Sequence, residues 1–367
     1  MIYLDYGATS FHKPAAVYRA VERAMRTCAN PGRGGYDGAM KAAETVYDCR
    51  EAAGKLFSCK PEQVVLTTSC THGLNLAIRS LVKPGAVVVT TGFEHNAVMR
   101  PLYALNARIR IAGRRLFDWD DTLAQFENAL QGADAAVFTH VSNVFGYILP
   151  VGEMAAMCRS RGIPFVLDAA QSAGTLPVNF RELGADFVAM PGHKGLLGPQ
   201  GTGLLLCAQP GTPLLYGGTG TQSLSREMPE ELPERLEAGT LNVPGYAGLT
   251  QGLRYLNRVG TEGGFRREQG LAEHCAHGLI RQGFRVFAGP HQGATVSFVP
   301  SVDCETGAEI LARQGFAVRA GLHCAPLAHE SAGTLSTGTI RVSLGYDTTP
   351  GEIDGFLRAT AKIRGNR

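Results

Sequence analysis

Ala189-Met190-Pro191-Gly192-His193-Lys194-Gly195-Leu196-Leu197-Gly198-Pro199-Gln200-Gly201-Thr202-Gly203 is an apolar run that opens into a lysine-bearing loop and closes into another apolar run. The flanking segments, 186–190 and 202–207, are continuously apolar rather than alternating. Strands of that kind belong to a sheet covered on both faces. The same rhythm of short apolar run, Gly/Ser/Thr/Pro turn and helical pattern recurs on the N-terminal side. It predicts further strands over 64–68, 86–90, 108–112, 135–139 and 164–168, with helices such as 122–130 and 152–161 between them. Strands alternating with helices make an α/β domain with a mostly parallel sheet.

Two helices precede the sheet. One carries the stripe Val17, Ala20, Val21 and Ala24; the other carries Ala43, Val46, Tyr47 and Arg50 and ends near Phe57. Beyond about Pro244 the pattern changes. A helix over 246–259 leads to alternating segments at 294–299 and 339–343, with helices over 306–314 and 350–362, which reads as a smaller α+β domain. The long polar connection 217–234 is of a length that is often functional.

Composition narrows the function classes. Hydrophobic residues are 44% of 367, enough for a large core, and the net charge of +3 argues against nucleic acid or an anionic membrane as the main partner. No apolar run approaches the roughly 18 residues of a membrane helix, and the first residues show no secretory signal. Nine cysteines are scattered without a CxxC pair. This fits a reducing, cytoplasmic setting and argues against a disulfide framework or a metal site.

The chemistry gathers at three strand ends. Lys194 lies in a glycine-rich loop after a strand, where open α/β sheets bind ligands and where a lysine can form a Schiff base with an aldehyde. Asp168 ends the run Phe165-Val166-Leu167-Asp168. It is either a helix N-cap or a carboxylate partner for a pyridinium nitrogen. Thr67-Thr68-Ser69-Cys70-Thr71-His72-Gly73 takes a strand through a hydroxyl-rich turn into a helix, which aims free N–H groups at an anion. A lysine, a strand-end aspartate and a phosphate cradle together are the set a pyridoxal phosphate (PLP) enzyme requires.

With these residues in place, the chain resembles fold-type I PLP-dependent transferases of the class V aminotransferase group, and within it the cysteine desulfurase/selenocysteine lyase family. The resemblance spans Tyr3-Leu4-Asp5-Tyr6-Gly7-Ala8-Thr9-Ser10, Asn30-Pro31-Gly32-Arg33-Gly34, Phe93-Glu94-His95-Asn96, Val141-Ser142-Asn143-Val144-Phe145-Gly146, Glu237-Ala238-Gly239-Thr240, Arg319-Ala320-Gly321-Leu322-His323-Cys324-Ala325 and Ile340-Arg341-Val342-Ser343, besides the Asp168 and Lys194 segments. It implies a large domain (15–245) with a mostly parallel seven-stranded sheet, and a small α+β domain (1–14 and 246–367) carrying the cysteine loop.

The resemblance also assigns roles. Lys194 would hold PLP covalently, His95 would stack on its ring, Asp168 would pair with the ring nitrogen and Gln171 would contact the phenolic oxygen. Thr71, beside Cys70, and His193 would bind the phosphate. Thr240 would reach the phosphate of a neighbouring subunit, which implies a homodimer. Asn143, Arg341 and Arg319 would hold the substrate carboxylate, a task suited to the planar guanidinium fork.

Cys324 would attack the sulfur of L-cysteine, keep it as a persulfide for a protein acceptor and release L-alanine. Arg319 and His323 beside it are expected to favour the thiolate. The interval from Cys324 to Arg341 is 17 residues, which resembles the short catalytic loop of group II desulfurases. Selenocysteine lyase is the alternative within the family; an aminotransferase or epimerase would not use Cys324. The chain departs from the group II pattern at Pro191, which has neither hydroxyl nor N–H for a phosphate. It departs also at His72, Tyr6 and Gly7, and it is short for the group.

Overall fold

The computed structural model describes residues 1–32 and 34–364. Arg33, within one of the stretches that carry the resemblance, lies outside the described residues. The chain opens with the short strand β1 (Ile2–Tyr3) and the helices α1 (Ala15–Thr27) and α2 (Asp37–Phe57). Seven strands follow: β2 (Val64–Thr67), β3 (Val87–Thr91), β4 (Arg108–Ala112), β5 (Ala135–Thr139), β6 (Phe165–Asp168), β7 (Phe187–Pro191) and β8 (Gly203–Cys207). They form one sheet in the order β2-β8-β7-β6-β5-β3-β4. Neighbours from β7 to β4 run parallel, and β8 alone runs antiparallel to both its neighbours. Each strand lies within one residue of its sequence expectation; β2, β3 and β5–β8 are buried on both faces, where apolar runs fit, whereas the edge strand β4 alternates with Arg108 exposed.

The helices between the strands are α3 (Cys70–Leu81), α4 (Asn96–Ala104), α5 (Trp119–Ala129), α6 (Val151–Ser160) and the single turn α7 (Phe180–Leu183). The long helix α8 (Val243–Val259) packs along α1 and α2. On α2 the buried face is Ala39, Ala42, Val46, Cys49 and Ala53, whereas Tyr47, expected in the stripe, is exposed. The true face is offset because small residues let α2 lie close to its neighbours.

The C-terminal part begins with α9 (Glu262–Arg281), a helix the sequence reading passed over because Gly263, Gly264 and Gly270 weaken its pattern. Then come β9 (Arg285–Phe287), β10 (Thr295–Val299), α10 (Cys304–Arg313), β11 (Phe316–Ala317), β12 (Arg319–Gly321), α11 (Pro326–Ala332), β13 (Thr339–Ser343) and α12 (Pro350–Ala359). The strands make an antiparallel sheet, β12-β13-β10-β9, and β1 pairs parallel with β11. A separate core there joins Leu4 to Leu271, Phe298, Ile340, Val342 and Phe356. Val243, Tyr246, Leu249, Leu253 and Leu256 of α8 belong instead to the core of the large sheet. On that packing we propose that the small domain begins after α8 rather than at residue 246.

The loop after β7 is seated by close backbone approaches. Gly174 has φ +86°, and a Cβ there would lie 2.3 Å from the Gly195 carbonyl oxygen. A Cβ on Gly252 of α8 would lie 2.1 Å from the Leu196 carbonyl oxygen. Only glycine permits both contacts.

Gly252→Ala is a sharp test of that seating. Helix propensity alone would stabilise the variant by about 1 kcal/mol. The clash with backbone should outweigh this and leave the protein about 1–3 kcal/mol less stable. An unchanged or raised urea midpoint would show that the loop is not held by this contact.

Candidate active site

β2 points the same way as the parallel strands, so the C-terminal ends of β2, β3, β5, β6 and β7 share one edge of the sheet. From these ends come Thr71, His95, Asn143, Asp168 and Lys194, which line one cleft together with Cys70, Gln171, Pro191 and His193. That edge is where an open α/β sheet presents its ligand site. Sequence separations of more than a hundred residues are thereby collapsed into one group.

Asp168 is buried, and its Oδ1 accepts from the Ala170 N–H at 2.9 Å and from the Cys70 thiol at 3.5 Å. Burial pushes its carboxyl upward and pushes the Lys194 ammonium downward. Among the described residues no ion pair satisfies Asp168. His95 caps α4, and its Nδ1 accepts from the Ala97 N–H at 3.0 Å. Burial, with the charge of Lys194 next, holds the ring down to about 4, so it is neutral at ordinary pH with its proton on Nε2.

Ser69 caps α3, its Oγ accepting from the His72 N–H at 3.1 Å. The N–H groups of Cys70 and Thr71 are left for an anion. His193 is held by the first loop of the chain: Ser10 donates from its N–H to the His193 carbonyl at 2.9 Å, and the His193 ring meets Thr9 Oγ1 at 3.1 Å. Gln171 gives its amide N–H to the Gly7 carbonyl at 3.0 Å.

The donor set fits PLP. An unpaired buried carboxylate suits a protonated ring nitrogen, a neutral imidazole suits a ring face, an amine of lowered basicity suits an aldehyde, and a free helix N-terminus suits a phosphate. Among the described residues no group of three or more His, Cys, Asp or Glu side chains is placed to hold a metal ion.

Arg341, on β13, is 2% exposed and already engaged. Its Nη2 pairs with Asp5 Oδ1 at 2.6 Å and its Nη1 donates to the Asn143 carbonyl at 3.0 Å, while its Nε is buried without a partner. Arg319 binds the other oxygen of the same carboxylate, Nε to Asp5 Oδ2 at 3.0 Å. Two guanidiniums thus share one carboxylate, and one positive charge is left over. Asp5 was quoted in the sequence only as part of the opening; its signal was a carboxylate set between Leu4 and Tyr6 in an apolar start.

Cys324 is the one exposed cysteine of nine, all of them free. It follows His323 in a left-handed backbone pair, φ +52° and +55°, a conformation that needs external support in non-glycine residues. The support is present: Asn143 Nδ2 donates to the His323 carbonyl and the Asn96 N–H to the Cys324 carbonyl, both at 2.8 Å. The cysteine loop is therefore fastened to the two segments that carry His95 and Asn143. The expectation that His323 adds positive charge beside the thiol is corrected. Its ring is buried against His329 and the Arg319 carbonyl, and burial holds its pKa far below the usual range. Arg319 is the only cation of the expected pair, and it is neutralised in part by Asp5.

Thr240 does not reach the cleft of its own chain. It lines a separate groove with Gly218 and Gly239, beyond the buried pair of Arg50 and Glu237, whose Nη2 and Oε2 are 2.6 Å apart.

Glu94 is a site residue whose role the sequence did not disclose. It is fully buried, next to His95 in the chain, and its Oε1 accepts from Thr91 Oγ1 at 2.6 Å and from the Thr139 N–H at 3.1 Å, joining the ends of β3 and β5. Its Oε2 has no partner. Burial raises its carboxyl from 4.5 to about 8. An unfolded chain would ionise this group near 4.5 while the folded one keeps it protonated, so its contribution to stability is lost as pH rises from about 4.5 through about 8. Glu94→Gln should remove that slope, gaining on the wild type as pH rises across the window. A constant gap between the two proteins in urea unfolding at each pH would contradict a protonated Glu94.

Comparison with known proteins agrees with this geometry. Residues 2–356 match the family Aminotransferase class-V. A probable cysteine desulfurase of Methanothermobacter thermautotrophicus is 31% identical, over 99% of this chain and 95% of its own. A cysteine desulfurase of Haloferax volcanii is likewise 31% identical, over 99% of this chain and 89% of its own. The apo structure of cysteine desulfurase from Thermococcus onnurineus NA1 superposes with a TM-score of 0.90 at 31% identity, covering 99% of this chain and 94% of that one. A lysine loop, an unpaired aspartate and a helix N-terminus at one sheet edge, with full-length likeness of this kind, have one reading: the chain belongs to the class V aminotransferase family, on the branch that holds the cysteine desulfurases.

Proposed function

We propose that the protein is a PLP-dependent cysteine desulfurase that converts L-cysteine to L-alanine and takes the sulfur onto Cys324. The observation that carries this reading is the exposed Cys324 in a loop fastened by Asn96 and Asn143, the segments that border the Lys194 cleft. A transaminating relative would have no use for that arrangement.

When bound, PLP supplies an aldehyde carbon and an electron-accepting ring. Lys194 would hold it, Asp168 would keep a proton on its ring nitrogen, and the neutral His95 ring would lie against the ring. The Cys70 and Thr71 N–H groups, the Thr71 hydroxyl and His193 would hold the phosphate. The Lys194 amine, once free, is lowered in basicity by its burial and takes the proton from the substrate Cα. The charge left over on the Arg341–Asp5–Arg319 group, with the unpartnered Asn143 Oδ1 beside it, orients the amino acid.

The Cys324 thiolate then attacks the substrate sulfur. An S–S bond forms as the C–S bond breaks, the electron pair stays with the carbon skeleton, Cβ takes a proton to become a methyl group, and the proton held by Lys194 returns to Cα to complete alanine. The persulfide sits at the surface, where a protein acceptor can reach it. Thr240, turned away from its own cleft, serves the cofactor phosphate of a second copy, so the active form is a homodimer. Nine unpaired cysteines suit a reducing cytoplasm.

Cys324→Ala should keep PLP bound with an unchanged absorbance spectrum and lose at least about a hundredfold in sulfide release from L-cysteine. Retention of the wild-type rate would exclude thiol-dependent desulfuration; loss with L-cysteine but not with L-selenocysteine would mark a lyase side activity. Sedimentation should show a dimer, and a monomer with full activity at nanomolar concentration would remove Thr240 from its role.

A further inference from the structure

A second cavity, of about 350 Å³, lies behind the site, between α8, α9 and the small-domain sheet. It shares Val141, Ala170, Gln171 and Lys194 with the cofactor cleft, and the rest of its lining is its own. Its size is that of a small-molecule site. The remaining wall is mainly apolar and aromatic: Leu256 and the rings of Tyr6, Tyr255, Phe265 and Tyr346. Tyr255 and Tyr346 stand edge to face, 6.1 Å between centroids.

Three charged residues interrupt this lining, Lys194, Arg267 and Glu268, and Glu268 is the acidic one. Glu268, on α9, is 5% exposed, and no hydrogen bond or ion pair among the described residues satisfies its carboxyl. The neighbouring charges are spoken for. Arg267 gives its guanidinium to the carbonyls of Tyr346 and Thr348. Asp347 is taken by the Tyr6 hydroxyl and the His12 ring. A buried carboxyl without a partner is costly, and burial pushes this one up to about 8. Such a carboxyl is held neutral while the cavity is empty and ionises when an organic cation arrives, so that its charge and the ring faces receive the cation together.

We propose that this cavity is a binding site for a small organic cation with an apolar body, with Glu268 as its counter-charge. The ligand sits between Glu268 and the rings of Tyr255, Phe265 and Tyr346, none of which lines the cleft that takes PLP. Nothing in this assignment depends on which reaction the cleft performs.

The test uses the PLP-loaded protein and isothermal titration with benzyltrimethylammonium, which has no N–H and cannot condense with PLP, and with neutral benzyl alcohol. The wild type should bind the cation at one site per chain, at least tenfold tighter than the alcohol. Glu268→Gln should weaken the cation at least tenfold and leave the alcohol unchanged. Equal affinity for cation and alcohol, no binding of either, or an unaltered cation affinity in Glu268→Gln would each overturn the proposal. PLP content and desulfuration are read in parallel, so failure here is distinguishable from failure of the catalytic reading.

Discussion

One amine and one carboxylate, Lys194 and Asp168, are desolvated together at the C-terminal edge of the large sheet, and the surrounding structure is organised by that burial. Each group alone in an apolar interior would cost several kcal/mol. Burial moves the two in opposite directions, the ammonium toward its neutral form and the carboxyl toward its protonated one. A ligand carrying both an electrophilic carbon and a protonated nitrogen relieves both groups at once. The loop that carries Lys194 is held by backbone contacts at Gly174 and Gly252, so a helix and a strand-end turn fix the amine with no long side chain between them.

The mouth of the site follows a similar logic with the signs exchanged. Asp5 ties the first strand to two arginines on adjacent strands of the small sheet, at 2.6 Å and 3.0 Å. In the proposed reaction the remaining positive charge is what a substrate carboxylate would meet. Asn143 links this group to the cysteine loop, since its carbonyl accepts from Arg341 and its side chain donates to His323. The arginine pair and the cysteine loop are therefore joined through one residue.

The inner strands of the large sheet were legible because continuous apolar runs have few other uses, and the edge strand β4 by its alternation; Lys194, Asp168 and Thr71 stood out because strand-end loops rich in glycine or hydroxyls are rare in combination. The helix α9 was not, since its glycines dilute the periodicity while tertiary packing supplies the stability. Glu94 and Asp5 escaped assignment because a buried carboxyl looks like any other acidic residue until its neighbours from distant segments are known. The charge of His323 was misjudged for the converse reason: sequence adjacency to Cys324 conveys nothing about the desolvation that keeps the ring neutral. Thr240 was assigned from the resemblance alone, and within one chain it stays away from the cleft.

The claim on which the rest turns is that Lys194 is the residue that holds the cofactor. Borohydride reduction of the PLP-loaded protein, followed by peptide mapping in a mass spectrometer, reads this directly. The account predicts a single phosphopyridoxyl group on the peptide that contains Lys194, in stoichiometric yield. The same group on another lysine, or no covalent label in protein that has retained its PLP, would contradict it.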